Sequence, residues 1–150
     1  MFFVFCFNVS AYYEEEQCTT FSIVDAPVKS LQDLHSLGAS ALDVLTPKAK
    51  AHFIKSLKFN EKGLTTFNSL LLEEELSLSE IYGILSLFGI ESSIKHFDAA
   101  RIESAADVNI LNNMLNNLLQ CDGVLQGSAC VSRATCRKTS DRDSCILANC

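Results

Sequence analysis

The residues from Ser77 to Gly89 read SLSEIYGILSLFG and carry the helix signals on which the predicted fold rests. Apolar side chains recur at Leu78, Ile81 and Leu85, a spacing that places them on one face of an α-helix. Ser77 and the glutamate three residues later match a capping box, and glycine commonly follows the last residue of a helix. The stretch therefore predicts an amphipathic helix that buries one face.

The same helix signals recur on both sides of this stretch. Ser-x-x-acid boxes also begin at Ser30, Ser40 and Ser104, and Thr46-Pro47 places proline at the favoured first position of a helix. Helical spacing of apolar residues covers segments 31–38, 40–45, 47–57, 70–75 and 108–119. The predicted fold is all-α: a compact multi-helix bundle, with a disulfide-stapled, loop-rich C-terminal segment. In its last helix we expect an apolar stripe to face the core, formed by Val108, Leu111, Leu115 and Leu118 and widened by Ile110, Met114 and Leu119.

Length and composition limit the other classes of protein. The chain has 150 residues, 48% of them hydrophobic, which is enough for one domain with a sizeable core. Only 6 glycines and 2 prolines occur, which argues against a turn-rich all-β fold or a linker. A net charge of −6 has the wrong sign for a general nucleic-acid binder. We therefore expect no nucleic-acid partner.

The first residues resemble an export signal. An apolar run covers residues 2–7, and the small side chains of Val9, Ser10 and Ala11 suit a signal-peptidase site. No basic residue precedes the run, so we expect residues 1–11 to be the remnant of a longer signal peptide. A buried N-terminal strand is the alternative, since Phe and Val favour strands.

Cysteine usage indicates the same compartment. Without Cys6, six cysteines remain in the chain: Cys18, Cys121, Cys130, Cys136, Cys145 and Cys150. An even number in a polar segment predicts disulfides formed in an oxidising compartment, with the pairing left open. A bound metal is the alternative, although no Cys-x-x-Cys pair or nearby histidine favours it. The predicted organisation is a signal remnant at 1–11, an extended arm at 12–27, a helical domain at 28–120 and a cysteine-rich tail at 121–150, packed on the helical domain.

No known catalytic motif occurs, so no catalytic, cofactor-binding or metal-binding residue is predicted. His35, His52 and His96 are far apart in sequence, and the run Glu73-Glu74-Glu75 is expected to be a solvated acidic corner. A small hydrolase whose acid and base meet only in the fold, around His52 or His96, is an alternative.

Lysines concentrate in one segment of the chain. Lys48, Lys55 and Lys62 recur every seven residues, with Lys58 beside them, so we expect them on one helix face. This face could bind an acidic protein or an anionic membrane surface, or it could be the solvated side of an amphipathic helix.

The segment from Leu45 to Lys50 with its following helix, and the tail from Cys121 to Cys150, resemble small exported bacterial proteins related to the bacteriocin fulvocin C. This resemblance implies an antimicrobial or interbacterial role.

The sequence thus predicts a secreted or periplasmic, non-enzymatic protein-interaction module stabilised by disulfides. An inhibitor, an immunity protein or a host-interaction protein fits this description. A bacteriocin-like precursor with an active cysteine-rich tail and a small hydrolase are the alternatives. The protein partner and the oligomeric state stay open.

Overall fold

The computed structural model of the protein describes residues 25–97, 100–116, 123–139 and 142–150, with the backbone alone at residues 38–40. It combines helices with two antiparallel sheets, so the prediction of an all-α helical bundle is wrong. The predicted signal remnant, most of the predicted N-terminal arm, Cys18 and Cys121 lie outside the described residues.

The helices lie mostly where capping signals predict them. Their bounds are Leu31–Asp33 (α1), Ala39–Leu42 (α2), Pro47–Ser56 (α3), Leu70–Glu75 (α4), Leu78–Leu87 (α5) and Ala105–Asn116 (α6). A π-helical turn at Leu34–Gly38 joins α1 to α2, and a 3₁₀ helix covers Glu91–His96. Ser30, Thr46 and Ser77 each cap a helix as predicted. The prediction that Ser40 begins a helix is wrong, because the backbone is helical without a break from residue 31 to residue 42. None of the described helices is long and apolar enough to cross a membrane.

The larger sheet joins the middle of the chain to its end. Its strands are Lys58–Asn60 (β1), Gly63–Asn68 (β2), Val124–Gln126 (β3) and Asp143–Ile146 (β6), in the order β1-β2-β6-β3. All neighbouring pairs are antiparallel. A turn at Glu61 and Lys62 closes the β1–β2 hairpin. The tail therefore belongs to the sheet, because β6 lies between β2 and β3.

A second hairpin covers part of this sheet. It consists of Ser128–Ser132 (β4) and Thr135–Lys138 (β5). The Cys130 N–H donates to the Thr66 hydroxyl in β2 at 3.0 Å, and the Gly127 N–H donates to the Asp143 carbonyl at 2.7 Å. Residues that are directly paired across strands share a face. Thr66, beneath the hairpin, is paired with Cys145, so both side chains point towards the hairpin.

Two disulfides hold the hairpin in place. Cys130 in β4 is bonded to Cys150, and Cys136 in β5 is bonded to Cys145 in β6, with Cα–Cα distances of 5.7 and 6.0 Å. The predicted disulfide bonding of the tail is therefore supported for these four cysteines. Such bonds are typical of an oxidising environment.

The apolar core lies between the helices and the opposite face of the sheet. Its largest buried side chains include Phe53 of α3, Phe67 of β2 and Phe97, each 1% exposed. Ile81 of α5 and Ile146 of β6 are fully buried in the same cluster. Burial of apolar surface contributes about 25 cal/mol per Å² to stability. The tail shares this core and does not rely on its disulfides alone.

The all-α prediction fails because the strands lack a period of two. Every residue of β2 except the last is buried. Helices cover one face of the sheet, while the β4–β5 hairpin and the C-terminal residues cover the other face. Alternation of apolar and polar residues appears only when one face is solvated. The strand β6 reads DSCI, and its partner in β2 is more than 70 residues away along the chain. Neither strand carries a strong local signal.

Candidate functional site

A concave surface that carries several lysines lies beside α3. This helix begins after Thr46, whose hydroxyl accepts the Ala49 N–H at 3.3 Å, and Pro47 occupies its first turn. Ala49 and Phe53 point to the core. Positions 48 and 52 are four residues apart, and positions 52 and 55 are three residues apart. Lys48, His52 and Lys55 therefore lie on one side of the helix.

Two adjoining depressions follow this flank, and we call them together the basic groove. One has a volume of about 250 Å³ and includes Thr46, Lys48, His52 and Glu75. The other, about 450 Å³, contains the remaining polar groups of the groove: His52, Lys55, Ser56, Lys58, Thr66, Asn68 and Asp143. His52 and Leu71 line both, so the depressions form one continuous surface between α3 and α4.

The carboxylates of the groove already accept hydrogen bonds from the protein. Glu75 accepts from both the backbone N–H and the hydroxyl of Thr46, at 3.2 and 3.0 Å. Asp143 accepts from the side-chain amide of Asn68 at 3.3 Å. Within the described part of the chain, Lys48, Lys55 and Lys58 form no ion pair, whereas Lys50, on another side of α3, pairs with Asp43 at 2.6 Å. The groove therefore presents free ammonium groups.

The predicted lysine face is partly wrong. Lys48, Lys55 and Lys58 line the basic groove, but Lys62 does not. Because α3 ends at Ser56, the seven-residue spacing does not continue to Lys62, which lies in the β1–β2 turn. Lys62 instead lines a separate depression with Thr65, Cys130 and Arg133.

The groove also brings together groups that the hydrolase alternative requires. His52, Ser56 and Asp143 line the same depression. The Ser56 hydroxyl, however, donates to the Phe53 carbonyl at 2.7 Å and accepts the Asn68 N–H at 3.1 Å. Among the described residues no hydrogen bond joins His52 to Ser56 or to Asp143. A nucleophile needs a base within hydrogen-bond reach, and this arrangement does not supply that pair.

The acidic run at residues 73–75 is more structural than predicted. The Glu73 side chain is only 10% exposed and pairs with Arg142 at 2.6 Å, while Glu75 binds Thr46. The run therefore connects α4 to the tail and to the start of α3, and the prediction of a solvated corner is wrong for these two residues.

Three tail sulfurs lie close enough together to resemble a metal site. The Sγ atoms of Cys136, Cys145 and Cys150 all lie within 4.8 Å of one another. Each of these sulfurs is engaged in a disulfide, whereas a metal would require thiolates. Their proximity reflects two adjacent disulfides.

The one group in the described residues with a large pKa shift lies away from the groove. Burial would by itself raise the pKa of Asp107, but hydrogen bonds from Ser79, Glu103 and Ser104 outweigh this effect and hold that pKa well below its usual value. Because these donors are backbone and hydroxyl groups at two helix ends, the carboxylate has a structural role.

Sequence reasoning missed several residues of the groove. Thr66, Asn68 and Asp143 reach it through the pairing of β2 with β6, and Leu70 and Leu71 reach it through α4. No local motif marks the first three residues, because their proximity depends on pairing between distant strands.

Comparisons with protein-family models, with curated proteins and with solved structures found no significant match. The resemblance to proteins related to fulvocin C therefore stays a prediction.

Proposed function

We propose that this chain is a secreted or periplasmic, non-enzymatic interaction protein that binds an acidic segment of another protein in its basic groove. The observation that carries the proposal is the convergence of Lys48, Lys55 and Lys58, without ion pairs in the described residues, on one groove of a chain whose net charge is −6. The disulfides of the tail support a location in an oxidising compartment.

Charge alone would give weak binding. An exposed ion pair contributes about 0.2–1 kcal/mol, so three lysines mainly accelerate association and select the sign of the partner. The groove also offers apolar surface, since Leu70 is 39% exposed and Leu71 is partly buried beside it. An acidic segment that carries one or two apolar side chains would use both features.

A released, active tail is less compatible with this architecture. The precursor alternative requires a fragment of roughly the Gly127–Cys150 size to leave the helical region. That fragment contains β6, whose removal would separate β2 from β3 and open the core beneath them. The proposal therefore treats the intact chain as the functional unit.

A peptide-binding experiment tests the proposal. The oxidised full chain is titrated into a fluorescent peptide of alternating glutamate and leucine, and into the same peptide with glutamine in place of glutamate. We expect binding of the acidic peptide that weakens with added salt, because exposed charges are screened. No binding to the acidic peptide, or equal binding to both peptides, would contradict the proposal.

Charge-matched variants localise the binding. Replacing Lys48, Lys55 and Lys58 by Gln should weaken binding of the acidic peptide at least tenfold. The control replaces Arg133, Arg137 and Lys138 by Gln, which removes the same charge from the β4–β5 hairpin, where these side chains are exposed. The control should change affinity less than twofold. Equal losses would indicate a general effect of net charge and exclude the groove as the site.

The hydrolase alternative has its own readout. Hydrolysis of a generic aryl ester or peptide by the purified chain, lost in His52→Ala, would support an enzyme at this groove. Only background hydrolysis by the wild-type chain, together with binding of the acidic peptide, would support the interaction protein.

A further inference from the structure

A second cavity lies on another part of the molecule, among α5, the 3₁₀ helix and α6. It has a volume of about 390 Å³, and it shares no lining residue with the basic groove. Cavities that bind small ligands typically measure about 300–1,000 Å³. Its apolar wall is formed by Tyr82, Ile94, Ile110 and Met114.

One carboxylate at this cavity has an unsatisfied oxygen. Glu91, at the start of the 3₁₀ helix, lines the cavity, and its Oε2 atom is buried without a hydrogen-bond partner in the described structure. A buried acceptor without a partner destabilises the folded state, and the penalty is larger when the acceptor is charged. Native structures rarely keep such a group unless something else satisfies it.

We infer that this cavity binds a small organic cation with an apolar body, such as a primary amine. The ammonium group pairs with the carboxylate of Glu91 and supplies a positive charge beside its unpartnered oxygen. The apolar body packs against Met114 and Ile110, which are buried and partly buried. Both features of the ligand follow from the cavity, because charge-assisted hydrogen bonds are strong and the remaining wall is apolar.

Lys95 limits the number of positive charges that the ligand can carry. It lies four residues after Glu91 and also lines the cavity, and its own interactions are made within the protein. A ligand with a single positive end directed to Glu91 avoids the ammonium of Lys95. A dication would bring its second charge towards that group, so we expect a monoamine to bind more tightly than a diamine of the same length.

Three probes of similar shape and different charge test the inference. Phenethylamine is the cation, 2-phenylethanol the neutral analogue and 3-phenylpropionate the anion. Each is titrated into the oxidised full chain at neutral pH while amide chemical shifts are followed by NMR. We expect saturable binding of phenethylamine at least tenfold tighter than that of 2-phenylethanol. Equal or tighter binding of 3-phenylpropionate, or no saturable binding of phenethylamine, would overturn the inference.

Two variants and one control assign the binding to the cavity. Glu91→Gln should weaken phenethylamine binding at least tenfold, while its affinity for 2-phenylethanol should stay within twofold of the wild-type value. Ile110→Trp, which fills the cavity, should weaken the binding of both probes. Glu74→Gln removes an exposed glutamate of α4 and should change neither affinity. Unchanged phenethylamine binding in Glu91→Gln would contradict the inference, and the amide spectrum of each variant shows whether it is folded.

Discussion

Asp107, in the first turn of α6, accepts a 2.6 Å hydrogen bond from the backbone N–H of Ser79, in the first turn of α5. Its other carboxylate oxygen accepts the backbone N–H groups of Glu103 and Ser104 at 2.8 and 2.9 Å. The first N–H groups of a helix lack intrahelical acceptors, so one buried carboxylate satisfies donors at two helix starts. This contact fixes α5 and α6 relative to each other.

The stability of the protein should fall in acid because of this carboxylate. The pKa of Asp107 is depressed in the folded state, so the folded state favours the ionised form. The resulting stabilisation is complete above the unfolded-state pKa of about 3.9 and is lost as the pH falls through the folded-state value. We expect the urea midpoint of unfolding to decrease below about pH 4–5.

Substitution of the carboxylate separates this effect from other acid effects. Asp107→Asn replaces one acceptor oxygen by an amide NH₂ group that faces backbone donors, so we expect a loss of about 1–3 kcal/mol at pH 7. The variant should also depend less on pH between 3 and 6. Asp43→Asn is the control, because the Asp43 side chain is 66% exposed and pairs only with Lys50 at the surface. Equal pH dependence in wild type and Asp107→Asn would contradict the assignment.

The same residue shows what the sequence can and cannot predict. The Ser104–Asp107 capping box was visible locally, and it correctly predicted where α6 begins. The buried face of that helix was predicted only in part: Met114 is buried as expected, but Val108 and Leu115 are 44% and 55% exposed, and Asp107 is buried. Helix caps are local interactions, but the face that a helix buries depends on which element packs against it.

The strands and the groove show the same limit. Pairing of β2 with β6 brings Asn68 next to Asp143, at a sequence separation of 75 residues. Lys48, His52 and Lys55 could be placed together from the period of α3 alone. The opposite wall of the groove depends on strand pairing and on α4, so its residues could not be predicted from local patterns.

The register of α6 can be tested with two neighbouring residues. Met114 is 6% exposed and belongs to the core cluster, while Leu115 is 55% exposed. Met114→Ala should lower the free energy of unfolding by about 2 kcal/mol or more, because it removes buried apolar surface. Leu115→Ala should change it by less than about 0.5 kcal/mol. Urea unfolding at pH 7 measures both, and a larger loss for Leu115→Ala would mean that the helix buries its other face.

Two glycines should respond to alanine with opposite signs. Gly63, the first residue of β2, has a φ of 138°, and a Cβ there would lie 3.0 Å from the Asn149 side-chain nitrogen. That nitrogen donates to the Leu64 carbonyl at 2.9 Å, so it cannot move without losing a buried hydrogen bond. Gly63→Ala should therefore destabilise the protein by about 1–3 kcal/mol.

Gly83 provides the matched control within the same protein. It lies in the exposed middle of α5, and a Cβ there would meet no atom within 4 Å. Because glycine in a helix interior costs about 0.5–1 kcal/mol relative to alanine, Gly83→Ala should stabilise the protein by that amount. Thermal unfolding of the two variants compares the signs. If Gly63→Ala stabilised the protein, the hairpin would not require a positive φ at residue 63.

The two disulfides should contribute separately to stability. Cys130–Cys150 spans 20 residues and Cys136–Cys145 spans 9. The chain-entropy model assigns each a contribution of about 2–4 kcal/mol and a larger value to the longer loop. Replacing both members of a pair by alanine should therefore lower the free energy of unfolding in each case, with the larger loss for Cys130 and Cys150.

Amide exchange and peptide affinity in these variants show whether the disulfides only anchor the β4–β5 hairpin or also support the core. Because β6 also pairs with β2 and contributes Ile146 to the core, the helices and the β1–β2 hairpin should stay folded in either variant. Amide exchange should increase first in β4 and β5, which the disulfides anchor to the sheet and to the C-terminus. The peptide affinity of the groove should change less than twofold. Loss of protection throughout α5 in a single-disulfide variant would mean that the sulfur bridges support the core itself, and that the apolar contacts of β6 are insufficient to keep the tail in the sheet.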